Sequence, residues 1–256
     1  MRERHRRLAG ALPEPRPPRV ADLGCGDGQT LLALRHRFGP DVALVGVERR
    51  EPELDPALAG DTNLTMAVAD LNKRLPFEDA SLGGVVCHNT LEALVSADAF
   101  LAEVARVLAP GSHFLLSHTD FDTIVFNASD IELTRRLVHA YADTQEEWMD
   151  SADATIGRKL VAIARRSPFD LVETLAWVEI DTEFAGGEAG DTAVKGIAAA
   201  VRRDSHHELA SQLEAWVEDQ RVRAAHGEFL FSVNDYAVLL RRGLLRHLPG
   251  DIEGRS

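Results

Sequence analysis

Short, continuous apolar runs alternate along the first half of the chain with longer segments whose apolar residues recur at helical spacing. The run at 42–48 stays apolar until Glu48, which is typical of a parallel strand buried on both faces. Residues 97–108 instead carry Phe100, Leu101 and Val104 on one face, as an amphipathic helix does. Strands that alternate with helices predict an α/β fold with a parallel sheet. The predicted strands in this half are 19–23, 42–48, 63–69, 85–89 and 113–117, and the predicted helices are 29–38 and 97–108.

Residues beyond about 120 follow a looser pattern, which predicts helices inserted around the sheet. We expect cap insertions at about 120–150 and 183–227 within one domain that spans 19–242. Residues 1–18 carry several arginines and four prolines, and we expect a solvated lead-in segment there, or else a lid over a ligand. Residues 243–256 are expected to form a surface tail. The remaining predicted helices are 129–143, 153–166, 192–204 and 206–225, and the remaining predicted strands are 170–181 and 228–242.

Length, net charge, cysteine content and the lengths of apolar runs argue against several classes of protein. The length of 256 residues suits one large α/β domain with insertions. The formal net charge of −13 weighs against nucleic acid as a partner, because binding to phosphates relies on Lys and Arg. The two cysteines, Cys25 and Cys87, offer neither a disulfide framework nor a metal-ligand spacing, so we expect a reducing compartment and no metal site. No apolar run reaches about 18 residues, so no membrane partner is expected and a cytoplasmic location is predicted.

Three glycines at every second position, Gly24, Gly26 and Gly28, follow the first predicted strand and precede a helix. Such a turn brings backbone close to a ligand, because glycine has no Cβ and tolerates positive φ. At the carboxyl end of a parallel strand it predicts a ligand-binding loop. The dinucleotide fingerprint needs a glycine where this chain has Gln29, and the acid Asp22 does not suit a pyrophosphate. The loop suits a ligand with a positive centre and an amino group.

Glu48 ends the second predicted strand about 20 residues after the glycine loop. A carboxylate at that place is positioned to accept hydrogen bonds from both ribose hydroxyls of a nucleoside ligand. A surface acid at a strand end is the alternative interpretation. Glu48 alone does not distinguish S-adenosylmethionine from NAD.

Four landmarks occur in order along the chain, and together they are far more specific than any one of them. They are the glycine loop, Glu48, Asp70-Leu71 and the stretch Arg106-Val107-Leu108-Ala109-Pro110-Gly111-Ser112. With the turn-rich segment 75–81, they resemble the motifs of class I S-adenosylmethionine (SAM)-dependent methyltransferases of the UbiE-like, small-molecule type. The resemblance covers most of residues 19–119 and extends more loosely to about 241. It implies a Rossmann-like seven-stranded sheet of order 3-2-1-4-5-7-6 with strand 7 antiparallel.

The resemblance also implies which residues contact the cofactor. In this family the glycine loop packs against the aminoacyl end of SAM, the acid after strand 2 binds the ribose, and Asp70 receives the adenine amino group, which suits an acceptor-only carboxylate. Asn89, at the end of the fourth strand, flanks the sulfonium and methyl group. The implied cofactor residues are Asp22, Gly24, Cys25, Gly26, Gly28, Glu48, Arg49, Asp70, Leu71 and Asn89.

Two positions depart from the family pattern. Amine methylases of nucleobases or glutamine carry Pro-Pro and an aromatic residue after this asparagine, whereas Asn89 is followed by Thr90-Leu91-Glu92. That difference argues against those substrates. Gly83 stands where an aspartate or a similar residue is usual.

His88 and His118 are the candidate general bases, because the unperturbed pKa of histidine lies near neutrality. His88 lies at the expected catalytic position, but a helix cap or a cofactor contact explains it equally well. His118 leaves the fifth strand at the sheet edge where ligands bind. The candidate substrate residues in the cap either attract a cationic amine or pair with His118, unless they only form turns and helix caps. These residues are Asp120, Asp122, Asn127 and Trp148.

The sequence therefore predicts an enzyme that transfers a methyl group from SAM to an oxygen, nitrogen or carbon nucleophile of a small molecule, such as a secondary metabolite or a quinone- or amine-like metabolite. A methyltransferase acting on protein or another macromolecule is the first alternative. A SAM-binding regulatory module without catalysis is the second. An NAD-dependent oxidoreductase is disfavoured by Gln29. A monomer or a homodimer is expected.

Overall fold

The computed structural model describes residues 2–145, 147, 149–203 and 207–244. The described residues form one sheet whose strands are β1 Arg19–Leu23, β2 Ala43–Glu48, β3 Leu64–Val68, β4 Leu82–His88, β5 Leu108–Phe126, β6 Phe169–Asp181 and β7 Phe231–Arg242. Their order is β3-β2-β1-β4-β5-β7-β6, which confirms the predicted order. The pairs among β1 to β5 are parallel, and β7 is antiparallel to both β5 and β6, as predicted for strand 7.

The helices of the described residues are α1 Glu3–Ala11, α2 Gln29–Phe38, α3 Ala97–Val107, α4 Ile131–Ala142, α5 Ile156–Arg166, α6 Ala189–Arg203 and α7 His207–Ala225. Two of them begin at side-chain caps. The Ser96 hydroxyl accepts a hydrogen bond from the Ala99 amide before α3, and the Asp130 carboxylate accepts one from the Leu133 amide before α4. These caps satisfy amide groups that have no partner within the first helical turn. None of the described helices is both long and apolar enough to cross a membrane.

Both faces of the sheet are covered, as the continuous apolar strands require. The residues facing α3 and α5 include Val85, Phe114 and Leu116, which are fully buried. The residues facing α1 and α2 include Val86 and Leu115, also fully buried. The side chains of β4 and β5 therefore alternate between the two helical layers, which decides where the histidines that end these strands point.

β5 is much longer than predicted, because it continues to Phe126 instead of ending near Ser117. Residues 118–120, 125 and 126 pair with β7, from His118 opposite Tyr236 to Phe126 opposite Phe231, with an irregularity between Asp120 and Val125. The prediction of a helical insertion from about 120 was therefore wrong for residues 120–126, and the helical part begins with α4. The reason is a partner strand more than a hundred residues away, which the local pattern of residues 118–126 does not reveal.

The extended part of β5 carries the cap. Ile124 and Phe126 of β5 and Phe231 of β7 are buried against α4, α6 and α7. The predicted loop at 186–191 is shorter than expected, since α6 begins at Ala189. The cap therefore has its own apolar core, which rests on the end of the sheet rather than on loops.

The segment before β1 is packed, not solvated. Leu8 and Leu12 are buried against α2, and the Arg37 guanidinium donates a hydrogen bond to the Leu12 carbonyl. A Cβ at Gly83 would collide with the Pro17 carbonyl, so the glycine at this position lets the lead-in segment cross over β4. The departure of Gly83 from the family pattern thus has a packing cause. The predicted tail, 243–256, lies outside the described residues except for its first two.

Candidate active site

The glycine loop joins β1 to α2 at the carboxyl end of the sheet. Gly24, Gly26 and Gly28 have φ values of +78°, +51° and +85°, which favour glycine at all three positions. A Cβ on Gly24 would collide with the Thr90 side chain, and one on Gly28 would lie 2.6 Å from Leu58. A Cβ on Gly26 would meet no atom within 4 Å. Packing explains two of the glycines, whereas Gly26 faces open space.

That space is a cavity of about 230 Å³ between the ends of β1, β2, β3 and β4. Its lining includes seven of the ten predicted cofactor residues: Gly24, Gly26, Glu48, Arg49, Asp70, Leu71 and Asn89. Its other lining residues are Ala69, Asn72, Thr90, Ala93, Leu94 and Asp150. The structure thus brings together side chains that the sequence separates by more than sixty positions.

Glu48 is fixed at the end of β2 by two backbone amides. Its Oε2 accepts a hydrogen bond from the Gly26 amide at 3.1 Å, and its Oε1 accepts one from the Arg49 amide at 2.7 Å. A carboxylate offers about four lone-pair sites. The remaining sites can accept hydrogen bonds from a ligand in the cavity, as its predicted role with ribose hydroxyls requires.

Asp22 lies directly beneath the glycine loop at the end of β1. It is 1% exposed, and its Oδ2 has no hydrogen-bond partner among the described residues. Burial, together with the negative charge of Glu48, raises the pKa of Asp22 to about 8. An ammonium group nearby would stabilise the ionised carboxylate. This unpaired oxygen therefore fits a ligand that brings a positive charge and N–H donors. Asp22, Cys25 and Gly28 are the three predicted cofactor residues that do not line the cavity.

Asp70 follows β3, and its surroundings favour the ionised carboxylate, which only accepts hydrogen bonds. Hydrogen bonding from the Asn72 amide, at 3.0 Å, lowers its pKa, and Arg49 and Lys73 act in the same direction. An ionised carboxylate here suits an exocyclic amine donor, which is the predicted role of Asp70. Leu71 next to it is buried and supplies an apolar wall.

Asp150 closes the cavity from the cap side, and no feature of the sequence pointed to it. Its Oδ2 accepts hydrogen bonds from the Arg49 guanidinium and the Asn72 amide group, both at 2.8 Å. Asn72 was also missed, although its position two residues after Asp70 is a usable signal. The closure by Asp150 depends on a contact between cap and sheet that local sequence patterns cannot show.

Asn89 forms the turn that ends β4, with φ of +50°. Its Oδ1 accepts a hydrogen bond from the Thr119 amide at 2.7 Å, and its Nδ2 donates one to the Thr119 hydroxyl at 3.0 Å. Both polar ends of the Asn89 side chain are thus hydrogen-bonded to Thr119 of β5. Its contribution to the cavity is the shape of the turn.

The two candidate bases point to opposite faces of the sheet. His88 lies opposite Ser117 in the pairing of β4 with β5, so it faces α1, and its ring meets the His5 ring edge-on at 5.9 Å. His118 faces α5, where its Nε2 lies 3.7 Å from the Glu92 carboxylate. Burial lowers the pKa of His88 well below its usual value and that of His118 to about 4. Neither histidine lines the cofactor cavity.

The predicted substrate residues of the cap lie away from the cofactor cavity. Both carboxylate oxygens of buried Asp120 accept hydrogen bonds from Arg158 at 2.6 Å. Asp122 pairs with Arg158 at 3.1 Å and His139 at 3.3 Å. Asn127 donates a hydrogen bond to the Glu228 carbonyl. Trp148 lies outside the described residues.

A larger cavity of about 920 Å³ lies on the α1 side of the sheet, between α1, the glycine loop and the end of β6. Arg4, Glu179 and Asp235 form its floor, and Asp27 and Gln29 bring it against the glycine loop. A niche of about 70 Å³ adjoins it, sharing Arg2 and Arg4 and reaching Thr119, Phe121 and Tyr141. Thr119, which lines this niche, is hydrogen-bonded to Asn89, which lines the cofactor cavity. The two spaces are therefore separated by one pair of hydrogen-bonded residues.

Comparison with known proteins agrees with this geometry. The sequence matches the methyltransferase-domain family over residues 18–185. An uncharacterized 37.1 kDa protein in transposon Tn4556 of Streptomyces fradiae is 27% identical over 223 residues, which cover 85% of this chain and 61% of that protein. The 27-O-demethylrifamycin SV methyltransferase of Amycolatopsis mediterranei is 31% identical over 116 residues, which cover 43% of this chain and 42% of that protein. The chain thus spans less than two thirds of either relative.

The fold is also that of a solved methyltransferase. The geranyl diphosphate C-methyltransferase of Streptomyces coelicolor A3(2), in complex with Mg²⁺, geranyl diphosphate and S-adenosyl-L-homocysteine, superposes with a TM-score of 0.50 at 13% identity, covering 93% of this chain and 79% of that one. Together with the family match, the open face of Gly26, the unpaired Asp22 oxygen and the acceptor carboxylates of Glu48 and Asp70 fit SAM. The chain therefore belongs to the methyltransferase-domain family, with SAM as its cofactor.

Proposed function

We propose that this chain transfers the methyl group of SAM to a nucleophilic atom of a small molecule. The observation that carries the proposal is the unpaired Oδ2 of buried Asp22 beneath the glycine loop, beside a cavity whose other end holds the acceptor carboxylates Glu48 and Asp70. These groups match a ligand with a cationic aminoacyl end, ribose hydroxyls and an adenine amino group.

In this proposal Asp22 and the loop around Gly26 hold the aminoacyl end, Glu48 the ribose, and Asp70 with Leu71 the adenine. Bound SAM supplies a methyl group already activated by a positively charged sulfur. The protein's own task is to hold the cofactor and the acceptor in line and to exclude water. Orientation of this kind can lower a barrier by about 7–11 kcal/mol.

We place the acceptor on the α1 side, in the cavity floored by Arg4, Glu179 and Asp235 and in its adjoining niche. Phe121 and Tyr141 supply aromatic walls in the niche, and residues of α1 line the larger cavity. A recess lined by a helix and by residues of the cap suits a small molecule better than a side chain on a folded protein. The relative named as a rifamycin methyltransferase supports the same choice.

His88 is the proposed general base where the acceptor must lose a proton. It lies on the sheet face that carries α1, beside Ser117 at 3.3 Å, and is neutral at pH 7 because burial depresses its pKa. His118 is proposed to act indirectly, since its Nδ1 lies 2.7 Å from the Thr119 carbonyl and its Nε2 faces Glu92. It would then hold the strand that carries Thr119.

The test is a calorimetric titration of the full chain with SAM and separately with NAD, followed by an assay for S-adenosylhomocysteine in the presence of a small-molecule extract. We expect saturable binding of SAM, no binding of NAD, and formation of S-adenosylhomocysteine that depends on the extract. Binding of NAD in place of SAM would overturn the cofactor assignment. Binding of SAM without turnover in any extract would leave a SAM-binding module and would refute the enzymatic proposal.

A further inference from the structure

A continuous chain of hydrogen bonds and ion pairs runs from the wall of the cofactor cavity to the N-terminal helix. The Asn89 side-chain amide donates to the Thr119 hydroxyl at 3.0 Å, and that hydroxyl donates to Asp235 Oδ1 at 2.5 Å. Asp235 Oδ2 lies 3.7 Å from Nε of Arg4, which belongs to α1 and also pairs with Glu179. The members of this chain come from α1, from the turn that follows β4, and from the strands β5, β6 and β7.

The direction of each hydrogen bond is fixed by chemistry. The nitrogen of the Asn89 amide only donates, so the Thr119 oxygen must accept from it and must point its own proton elsewhere. Asp235 Oδ1 accepts the hydrogen bond that the Thr119 hydroxyl donates. The Thr119 amide fixes the other end of the Asn89 side chain by donating to its Oδ1 at 2.7 Å. Asp235 therefore holds the Thr119 hydroxyl in the orientation in which its oxygen accepts from Asn89.

The cation that faces Asp235 comes from α1. Asp235 is 2% exposed, and a buried carboxylate needs a compensating partner. Glu179 is a second acid close by, and Arg4 lies between the two acids and pairs with both. Removal of Arg4 would leave Asp235 and Glu179 in a poorly solvated place without the cation that pairs with them, which is strongly unfavourable.

The Asn89 turn shapes one side of the cofactor cavity. Asn89 adopts a left-handed conformation, which is uncommon for a residue other than glycine and persists where its surroundings hold it. Thr90, Ala93 and Leu94, which follow in sequence, line the cavity with it. A change in this turn would therefore displace a whole wall of the cavity.

We propose that Asp235 is a positioning residue which, through Thr119, holds the Asn89 turn of the cofactor cavity and links it to the docking of α1 by Arg4. The inference rests on the proposed function only in taking this cavity as the SAM site. Because binding couplings are reciprocal, a ligand in the cavity stabilises the docked helix, and the docked helix strengthens ligand binding. The position of α1, which lines the acceptor cavity, and that of the Asn89 turn, which lines the cofactor cavity, are then coupled.

The experiment compares Thr119→Val, which keeps the shape of the side chain but removes the hydroxyl, with Thr119→Ser, which restores the hydroxyl. Calorimetry of the full chain with S-adenosylhomocysteine should show about tenfold weaker binding for T119V and nearly normal binding for T119S. Arg4→Gln should weaken binding to a similar degree, and the double variant R4Q/T119V should be no weaker than either single variant. Arg135→Gln, which removes an exposed arginine of α4, should change nothing.

Hydrogen exchange of residues 3–11 provides a readout that does not depend on affinity. S-adenosylhomocysteine should slow exchange of α1 in the wild-type chain and in T119S, but not in T119V. If T119V fails to fold, R4Q with its exchange profile decides the question alone. Wild-type affinity in both T119V and R4Q, or an α1 that ignores the ligand in the wild-type chain, would overturn the proposal. Failure of the wild-type chain to bind the ligand would instead overturn the proposed function.

Discussion

The amide of Gly26 donates a hydrogen bond to the carboxylate of Glu48 across 3.1 Å, so the tip of the glycine loop and the acid that ends β2 are tied together. The bond joins two neighbouring parts of the proposed SAM site, since the loop is assigned to the aminoacyl end and Glu48 to the ribose. It also means that Glu48 acts on the ligand directly and on the loop at the same time.

Glu48→Gln should weaken SAM binding by about tenfold or more, because one of the acceptor oxygens becomes an NH₂ group, which cannot accept a hydrogen bond from a backbone amide or from a ribose hydroxyl. The stability of the protein should change little, since Glu48 is only partly buried. Calorimetry and thermal unfolding measure the two effects. Glu53→Gln, a nearby exposed change, is the control. Undiminished SAM affinity in E48Q would refute the assignment of Glu48 to the ribose.

Alanine at Gly26 and at Gly28 should have different effects. Both positions have positive φ, which costs an alanine about 1 kcal/mol. At Gly26 the added Cβ faces the cavity, so G26A should fold and lose SAM affinity. At Gly28 the Cβ would press on Leu58, so G28A should lose more stability than G26A. Denaturant unfolding and SAM titration of both variants test this, and full SAM affinity in G26A would contradict it.

SAM binding should release a proton near pH 7 because of Asp22. Burial and the charge of Glu48 raise the pKa of this carboxyl to about 8, so it is mostly protonated before binding, and a ligand ammonium group would favour its ionised form. Affinity should therefore rise with pH up to about 8, by at most about tenfold per pH unit. Calorimetry in buffers of different ionisation enthalpy counts the protons. Asp22→Asn should abolish the release, and an equal release in that variant would show that the proton comes from another group.

Glu92 should make the protein less stable as pH rises. Burial raises the pKa of Glu92 from 4.5 to about 8, so the folded protein holds this proton more tightly than the unfolded chain does. Stability from this group is complete below pH 4.5 and is lost as pH rises to about 8, at up to about 1.4 kcal/mol per pH unit. Its neighbour His118 acts in the opposite direction, since its pKa falls from 6.5 to about 4 and its contribution is lost only on acidification.

The window from pH 7 to 8 emphasises the buried carboxyl groups, because it lies above the unfolded pKa of histidine, 6.5. In Glu92→Gln the free energy of unfolding, measured with urea, should fall less steeply with pH across this window than in the wild-type chain. Asp22, whose pKa is also raised to about 8, should supply part of the slope that remains. Glu132→Gln, on the exposed surface of α4, should keep the wild-type slope. An unchanged slope in E92Q would show that Glu92 is ionised in the folded protein.

Much of the cofactor half was predictable because its signals are local. The glycine loop, Glu48 and Asp70 each follow a strand, and parallel strands bring their carboxyl ends to one edge. The sheet faces toward which His88 and His118 point could also have been predicted in principle, because side chains alternate between the two faces along a strand. That conclusion needed the register that sets His88 opposite Ser117, which the sequence does not fix.

The remaining features depend on contacts between distant parts of the chain. The extension of β5 requires β7, the closing contact of Asp150 requires the cap, and the ion pairs of Arg4 join residue 4 to residues 179 and 235. A charged residue near the N-terminus looks solvated when only its neighbours in sequence are considered. Its burial follows from the docking of α1, in which Leu8, one turn further along the same face of the helix, is buried together with Leu12.

Methylation of a small molecule by this chain can be measured directly. The full chain is incubated with methyl-labelled SAM and an extract that contains small molecules, proteins and nucleic acids, and the label is then measured in each separated fraction. We predict label in the small-molecule fraction, and its loss in Asp22→Asn. Label confined to the protein or nucleic-acid fraction, or no transfer by a chain that binds SAM, would refute the proposal that the acceptor is a small molecule.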